Sequence, residues 1–295
     1  MTSEPPVIVD DEPDVAAAVE APRLPAGREV ELDAGTVFVR DVPGPAGAPA
    51  VFLLHGWTAT SDLNFFRSYV PLAEHVRAIA FDHRGHGRGL RSRKLFRLED
   101  CADDVVAVAD ALGIERFIVL GYSMGGAVAQ LVWHRHAARL EGLVLCATAP
   151  HFNRHRNERL SFLGLTGLAA LARLTPAQLR RRLTQQLYLS RKTATWDPWA
   201  VQEAASHDWR MVLEAGRAIG GFRSDEWLPE IDVPTSVVIT MQDRIVGIRR
   251  QLLLFESIPT AAAFRLDAGH DAAISAADRF NRTAIDAIHS VLERR

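Results

Sequence analysis

The sequence predicts an α/β fold: a doubly wound, mostly parallel sheet with a helical cap inserted after the sixth strand. Three observations predict it. From residue 50 to residue 147, apolar runs of strand length alternate with helix-like segments. Between about residues 151 and 227 the strand-like runs vanish, and they resume afterwards. A serine flanked by glycines, in Gly121-Tyr122-Ser123-Met124-Gly125, sits where one apolar run ends and a helix-like run begins.

Taken in order, residues 1–27 form an arm rich in Pro, Ala, Asp and Glu, with an acidic cluster at Asp10, Asp11, Glu12 and Asp14. Disorder is expected there. No basic start precedes an apolar core, so no secretory signal is expected. Residues 29–33 and 36–40 alternate around Ala34-Gly35 and read as a β-hairpin. A Pro/Gly loop leads into Ala50-Val51-Phe52-Leu53-Leu54, continuously apolar as a strand buried on both faces must be. It ends in His55-Gly56-Trp57-Thr58, and a helix is expected over 65–75. The next strand, 76–81, ends in Asp82-His83-Arg84-Gly85-His86-Gly87, and a helix over 100–112 stops at Gly113. Phe117-Ile118-Val119-Leu120 is the strand that delivers Ser123, residues 126–133 read as a helix, and 143–147 as a strand. The cap is expected to carry helices over 160–174, 176–189 and 198–219. Strands resume at 235–240 and 262–267, and 278–293 is the closing helix. The core is therefore assigned to residues 28–150 and 228–295, and the cap to 151–227.

With 295 residues, 48% of them hydrophobic, the chain suits one large domain with an insertion. A net charge of −2 supplies no global basic field for nucleic acid. No run is long and apolar enough to span a bilayer, since 160–174 is short and carries Arg173. Cys146 lies in an apolar run and reads as a buried small side chain. Cys101 follows Glu99-Asp100, which disfavour a thiolate, so it is given no catalytic role. Two cysteines imply no disulfide framework, and a cytoplasmic location fits.

The chemistry centres on Ser123. A sharp strand-to-helix turn needs small neighbours and pushes the serine into strained backbone with its hydroxyl exposed. The helix that starts there aims N–H groups and a positive dipole end at the same place. A nucleophilic serine needs an imidazole to take its proton and a carboxylate to orient that imidazole. The loop after a late strand gives Asp243, and the loop after the last strand gives His270. Both lie at C-terminal strand ends, where open α/β sheets place ligands. Asp225, Asp232, Asp267 and Asp271 fit the acid's position less well. His83 and His86 form an H-x-x-H pair with no obvious third ligand, so neither a metal nor a cofactor is expected.

On His55-Gly56-Trp57, Asp82-His83-Arg84-Gly85-His86-Gly87, the serine pentapeptide, Asp243 and Gly269-His270, residues 28–295 resemble the α/β-hydrolase fold family. The order Ser123, Asp243, His270 is that of the triad on such a sheet. The resemblance implies an oxyanion hole formed by the backbone N–H groups of Trp57 and Met124. It implies a serine hydrolase acting through an acyl-enzyme on a small or apolar carboxylic ester. Carbon–carbon, lactone and amide hydrolysis and cofactor-free perhydrolysis share this triad, whereas epoxide and haloalkane hydrolysis normally use an aspartate in place of Ser123. A non-catalytic ligand binder is the competing class. Gly89 departs from relatives that carry serine there. His55 is expected to shape the oxyanion loop, and His83 and His86 to order the loop at Arg84. The arginines at 84, 88, 91, 93 and 97, with Lys94, read as a solvated basic loop in preference to an anion-docking patch. Arg180-Arg181-Arg182 in the cap leaves peripheral membrane contact as a third possibility, and the cap tryptophans 196, 199, 209 and 227 either line an acyl pocket or pack the cap.

Overall fold

The computed structural model describes residues 21–153, 164, 167–168, 170–172, 175 and 198–295. Eight strands form one sheet in the order β1-β2-β4-β3-β5-β6-β7-β8. The hairpin β1 (Gly27–Leu32) and β2 (Gly35–Val42) lies at one edge. Gly35, at φ +124°, takes the turn between them. β2 pairs antiparallel with β4 (Arg77–Phe81). From there on β3 (Ala50–Leu54), β5 (Phe117–Tyr122), β6 (Leu140–Cys146), β7 (Thr235–Thr240) and β8 (Ala261–Leu266) run parallel.

The apolar runs make central strands because both faces are covered. Phe52, Leu54, Val119, Leu143, Leu145, Val237 and Ile239 share one hydrophobic cluster with α3 (Leu98–Ala111) and α4 (Met124–His136). The alternate residues Val51, Leu53, Ile118, Leu120, Val144, Cys146 and Val238 join a second cluster. That cluster includes side chains of α1 (Ser61–Phe65), α2 (Tyr69–Ala73) and the closing α9 (Ala277–Glu293). The split follows from the two-residue period of a strand. Each fully buried large aliphatic or aromatic side chain contributes about 1.5–3 kcal/mol.

Two helical expectations are corrected. The single helix over 65–75 is instead α1 and α2. It begins early because the Thr60 hydroxyl caps α1, accepting the Leu63 N–H at 3.0 Å. The helix over 198–219 is broken into α5 (Pro198–Ala205) and α6 (Trp209–Gly221). Asp208 caps α6, accepting the Arg210 N–H at 3.1 Å, and its own N–H donates to the Gly85 carbonyl at 2.8 Å. That tie to the β4 loop turns the chain between the helices. Of the expected helix over 160–174, residues 164, 167–168 and 170–172 are helical. The helix over 176–189, the 180–182 arginines, Trp196 and residues 1–20 of the arm lie outside the described residues.

The segment between β6 and β7 leaves and returns at one place. His151 and Arg223 form an isolated antiparallel bridge, and the Ser224 N–H donates to the Pro150 carbonyl at 3.0 Å. On the way back to the core, α7 (Ile248–Ser257) follows β7, and the short α8 (Ala272–Ser275) follows β8.

Gly89 has a steric reason. A Cβ there would lie 2.3 Å from the His83 carbonyl oxygen and 2.4 Å from that of Asp82. The β4 loop of this chain folds too closely on itself to admit a serine.

Candidate active site

Strand order reverses between β3 and β5, and the loops after these two strands flank the crevice that the reversal creates. Ser123 lies at the end of β5, as the N-cap of α4, with φ +55° and ψ −114°. This is a costly conformation for a residue with a Cβ, of the order of 1–3 kcal/mol. The surroundings enforce it. Its N–H donates to the Cys146 carbonyl at 2.9 Å, and its carbonyl accepts the Thr148 hydroxyl at 2.8 Å. The neighbouring glycines are sterically required: a Cβ on Gly121 would lie 2.3 Å from the Gly125 carbonyl oxygen, and one on Gly125 2.1 Å from that of Leu54.

His270 follows β8 and Asp243 follows β7. The Ser123 hydroxyl lies 3.0 Å from His270 Nε2, and His270 Nδ1 lies 2.8 Å from Asp243 Oδ2. Ser123, His270 and Asp243 therefore form one continuous hydrogen-bonded line. The Asp243 side chain is fully enclosed, whereas His270 is about a quarter exposed (24%). Both carboxylate oxygens are saturated. Oδ1 accepts the N–H groups of Ile245 and Val246, each at 2.8 Å, and Oδ2 also accepts the Thr240 hydroxyl at 2.8 Å. Burial pushes this carboxyl up, but His270, the Val246 amide and the Thr240 hydroxyl outweigh it and hold the carboxyl below its usual range. The Tyr122 hydroxyl donates to the His270 carbonyl at 2.8 Å, and so fixes the histidine loop.

The other acids are engaged elsewhere. Asp225 pairs with His151, Asp232 accepts from Trp133 Nε1 and Asp267 accepts from Gln242. Thr240, Gln251 and Tyr122 support the line, yet they belong to no local motif that would mark them in the sequence.

Met124 directly follows Ser123, and Trp57 lines the same pocket from the loop after β3. Met124 is the first residue of α4, where an N–H has no partner within its own helix. Trp57 follows β3, and its indole Nε1 donates to the Val212 carbonyl of α6 at 2.7 Å. The preceding Gly56 N–H donates to Asn64 Oδ1 at 2.9 Å. Ser123 and His270 open into a pocket of about 440 Å³. Its walls include Trp57, Leu63, Tyr122, Ala204, Trp209, Ala273 and Ile274, with Thr58, Asn64 and Asp271 as polar members. Of the cap tryptophans, Trp209 lines this pocket, while Trp227 stacks on Trp133 and His134.

The arginine-rich loop is paired at its first three arginines, although Arg88 and Arg91 stay exposed to solvent as expected. Arg84 grips Asp104 at 2.5 and 2.7 Å. Arg88 reaches Asp62 at 2.5 Å and covers the Phe38 ring. Arg91 donates to the carbonyls of Gly89 at 2.8 Å and Ser206 at 2.9 Å. These side chains staple the loop to the core and to the turn between α5 and α6.

Four histidines are buried beneath that loop: His55, His83, His86 and His207. His55 Nε2 accepts the His83 N–H at 2.9 Å, which ties the loop after β3 to the β4 loop. His86 Nδ1 donates to the Arg84 carbonyl at 3.0 Å. The His83 ring does not order the loop through hydrogen bonds, having no such partner among the described residues; it packs on His55 and Phe81 instead. Burial lowers the pKa of His55, His83 and His86, and takes His207 down to about 4. The unfolded chain therefore takes up protons first as pH falls below 6.5, and stability declines from there towards pH 4. For His207 alone the drop from 6.5 to about 4 corresponds to roughly 3 kcal/mol lost by pH 4. Glu203 and Asp104, whose carboxyls burial pushes up, act in the opposite sense. Thermal melts from pH 8 to 4.5 are expected to show a falling Tm, with a shallower fall in His207→Gln. Equal slopes for the two proteins would contradict this assignment.

Among the described residues no group of three or more His, Cys, Asp or Glu side chains is arranged to hold a metal ion, and no helix is long and apolar enough to cross a membrane.

The model of the alpha/beta hydrolase fold family matches residues 49–277, well over half of the chain. The chain belongs to the α/β-hydrolase fold family. A protein of Agrobacterium fabrum (strain C58 / ATCC 33970), named as the putative carbamate hydrolase RutD, is 30% identical over 242 residues, covering 80% of this chain and 91% of its own. Among solved structures, the enol-lactonase from Burkholderia xenovorans LB400 superposes with a TM-score of 0.70 at 24% identity, covering 89% of this chain and 100% of that one. A thermophilic esterase from Thermogutta terrifontis gives 0.72 at 20% identity, covering 90% and 99%. At these identities the two structures establish the fold. Hydrolase is the functional class that membership of the α/β-hydrolase fold family supports.

Proposed function

We propose that the chain is a serine hydrolase that cleaves carboxylic esters of small or apolar acyl groups through an acyl-enzyme. The observation that carries this reading is the hydrogen-bonded line from Ser123 through His270 to the enclosed Asp243, at the base of an apolar pocket. Ser123 Oγ attacks the ester carbonyl while its proton passes to His270 Nε2. Asp243 holds the imidazole with Nδ1–H towards itself and stabilises the imidazolium that forms. The Trp57 and Met124 backbone N–H groups receive the developing oxyanion. Loss of one such donor elsewhere costs about 2.7–4 kcal/mol. His270 then protonates the leaving alcohol, and water, deprotonated by the same imidazole, releases the acid. Residues 151–227 act as the cap, with α5 and α6 supplying Ala204 and Trp209 to the pocket. No cofactor takes part. The two cysteines, free and buried, suit a cytoplasmic protein.

A second reading, carbamate hydrolysis by the same residues, is favoured by the 30% identity to the putative carbamate hydrolase. Lactone, amide and carbon–carbon hydrolysis and perhydrolysis would use the same serine. The test is turnover of short p-nitrophenyl esters beside the matching carbamates. Ester turnover is expected, and His270→Ala is expected to abolish it. Ester turnover that survives in His270→Ala would overturn the reading, and turnover of carbamates alone would replace it with the second.

A further inference from the structure

His207 lies in the turn between α5 and α6, away from Ser123 in the sequence, yet it is buried against the loop that carries Trp57. Its Nδ1 accepts the Gly87 N–H at 2.9 Å, and its Nε2 lies 3.1 Å from the Thr58 carbonyl oxygen. A ring nitrogen that accepts from an amide carries no proton, so the proton is on Nε2 and donates to Thr58. The ring is thus a neutral bridge between the β4 loop and the loop after β3.

Thr58 needs such a bridge. It has φ +62°, in the left-handed region that a β-branched residue avoids. Strain of this kind persists only where surrounding contacts hold it. Trp57, immediately before it, is held on its other side by the bond from its indole to Val212 of α6. The Trp57 indole and the Thr58 carbonyl that follows it are both held by the segment inserted between β6 and β7, while His55 Nδ1 holds the Gly56 carbonyl, in the same peptide plane as the Trp57 N–H, at 2.8 Å. Gly87, the other partner of His207, sits at φ +43°, and a Cβ there would lie 2.1 Å from Asp82 Oδ2. The amide that meets His207 is thus itself fixed.

We propose that His207 is a positioning residue for the oxyanion loop: its Nε2–H holds the Thr58 carbonyl and thereby keeps the strained turn that follows Trp57, on which the placement of the Trp57 backbone N–H depends. This rests on the serine-hydrolase reading above. Of the charged and titratable groups facing the ring, His55 and Arg91 favour a neutral imidazole and Asp82 opposes it, with burial deciding for the neutral form. His55 comes from the end of β3, and His86, Asp82 and Arg91 from the β4 loop. Trp209 packs on it from α6. Nearby, the Thr60 hydroxyl donates to Glu203 of α5 at 2.7 Å, a second tie between the inserted segment and the loop after β3.

The two hydrogen bonds can be separated. An asparagine amide is attached at Cγ, as Nδ1 is, so His207→Asn can keep the acceptor for Gly87 and cannot reach Thr58. A glutamine amide lies as many bonds from Cα as Nε2, so His207→Gln can keep the donor to Thr58. Steady-state kinetics on p-nitrophenyl butyrate for the wild type, His207→Gln, His207→Asn, His207→Ala and Ser123→Ala, with a thermal melt of each, test the proposal. A misdirected oxyanion donor costs kcat, about ten- to a hundredfold, and leaves substrate binding nearly unchanged. The expected result is that loss in kcat for the Asn and Ala variants, with KM within about twofold, and a kcat near the wild type for the Gln variant. Equal kcat in all three His207 variants would overturn the proposal, as would a Gln variant as impaired as the Ala variant. Inactivity of the wild type itself, or full activity of Ser123→Ala, would instead overturn the serine-hydrolase reading.

Discussion

Ser123→Ala is expected to lower kcat for a p-nitrophenyl ester by about 10⁶-fold, the scale seen when a serine protease loses its nucleophile. The fold should be unaffected. The substitution removes only the hydroxyl that meets His270, and the contacts that hold the strained backbone are made by main-chain atoms of residue 123. Alanine at φ +55° is no more strained than serine. Equal melting temperatures with the kcat loss would place the whole effect on chemistry. A loss of less than about a hundredfold would mean that another group attacks the substrate.

Asp243→Asn is expected to lower kcat by about 10⁴-fold, as an equivalent change in a serine protease does. The hydrogen bonds around this carboxyl give the reason. The Oδ1 position faces two backbone N–H groups, from Ile245 and Val246, and can only be an oxygen. The amide NH₂ of asparagine is then forced to the Oδ2 position, facing His270 Nδ1. His270 must accept there, so its proton moves to Nε2, where it points at the Ser123 hydroxyl. The imidazole is held in the tautomer that cannot take the serine proton. Turnover measured between pH 6 and 9 checks this, and activity within about tenfold of the wild type would show that Asp243 does not set the tautomer.

Features that are local in the chain are legible in the sequence. Gly121, Ser123 and Gly125 lie within five residues because the turn itself demands them: carbonyl oxygens that would stand 2.3 and 2.1 Å from a Cβ leave no room for a side chain on either glycine. The apolar runs of β3, β5 and β6 are legible because burial on both faces leaves few polar positions. Thr240, Gln251 and Tyr122 are not, since their roles arise only where separate elements converge on Asp243 and His270. The break between α5 and α6 is hidden by continuous helical periodicity over 198–219. It is imposed from outside, by the bond between Asp208 and Gly85. The partners of the arginine loop are hidden in the sequence for a related reason. Charge gives no information on partners, and Arg84, Arg88 and Arg91 find theirs in Asp104, Asp62 and the Ser206 carbonyl, which lie 20, 26 and 115 residues away. His207 belongs with these, a polar residue in a turn whose two partners, Gly87 and Thr58, lie 120 and 149 residues earlier.

Labelling with a fluorophosphonate, read by intact mass and by the modified peptide, tests most directly whether Ser123, activated by His270, is a nucleophile. One adduct per chain is expected on the wild type, located at Ser123, with none on Ser123→Ala and greatly slowed labelling of His270→Ala. An unlabelled wild type, or equal labelling of Ser123→Ala, would contradict it.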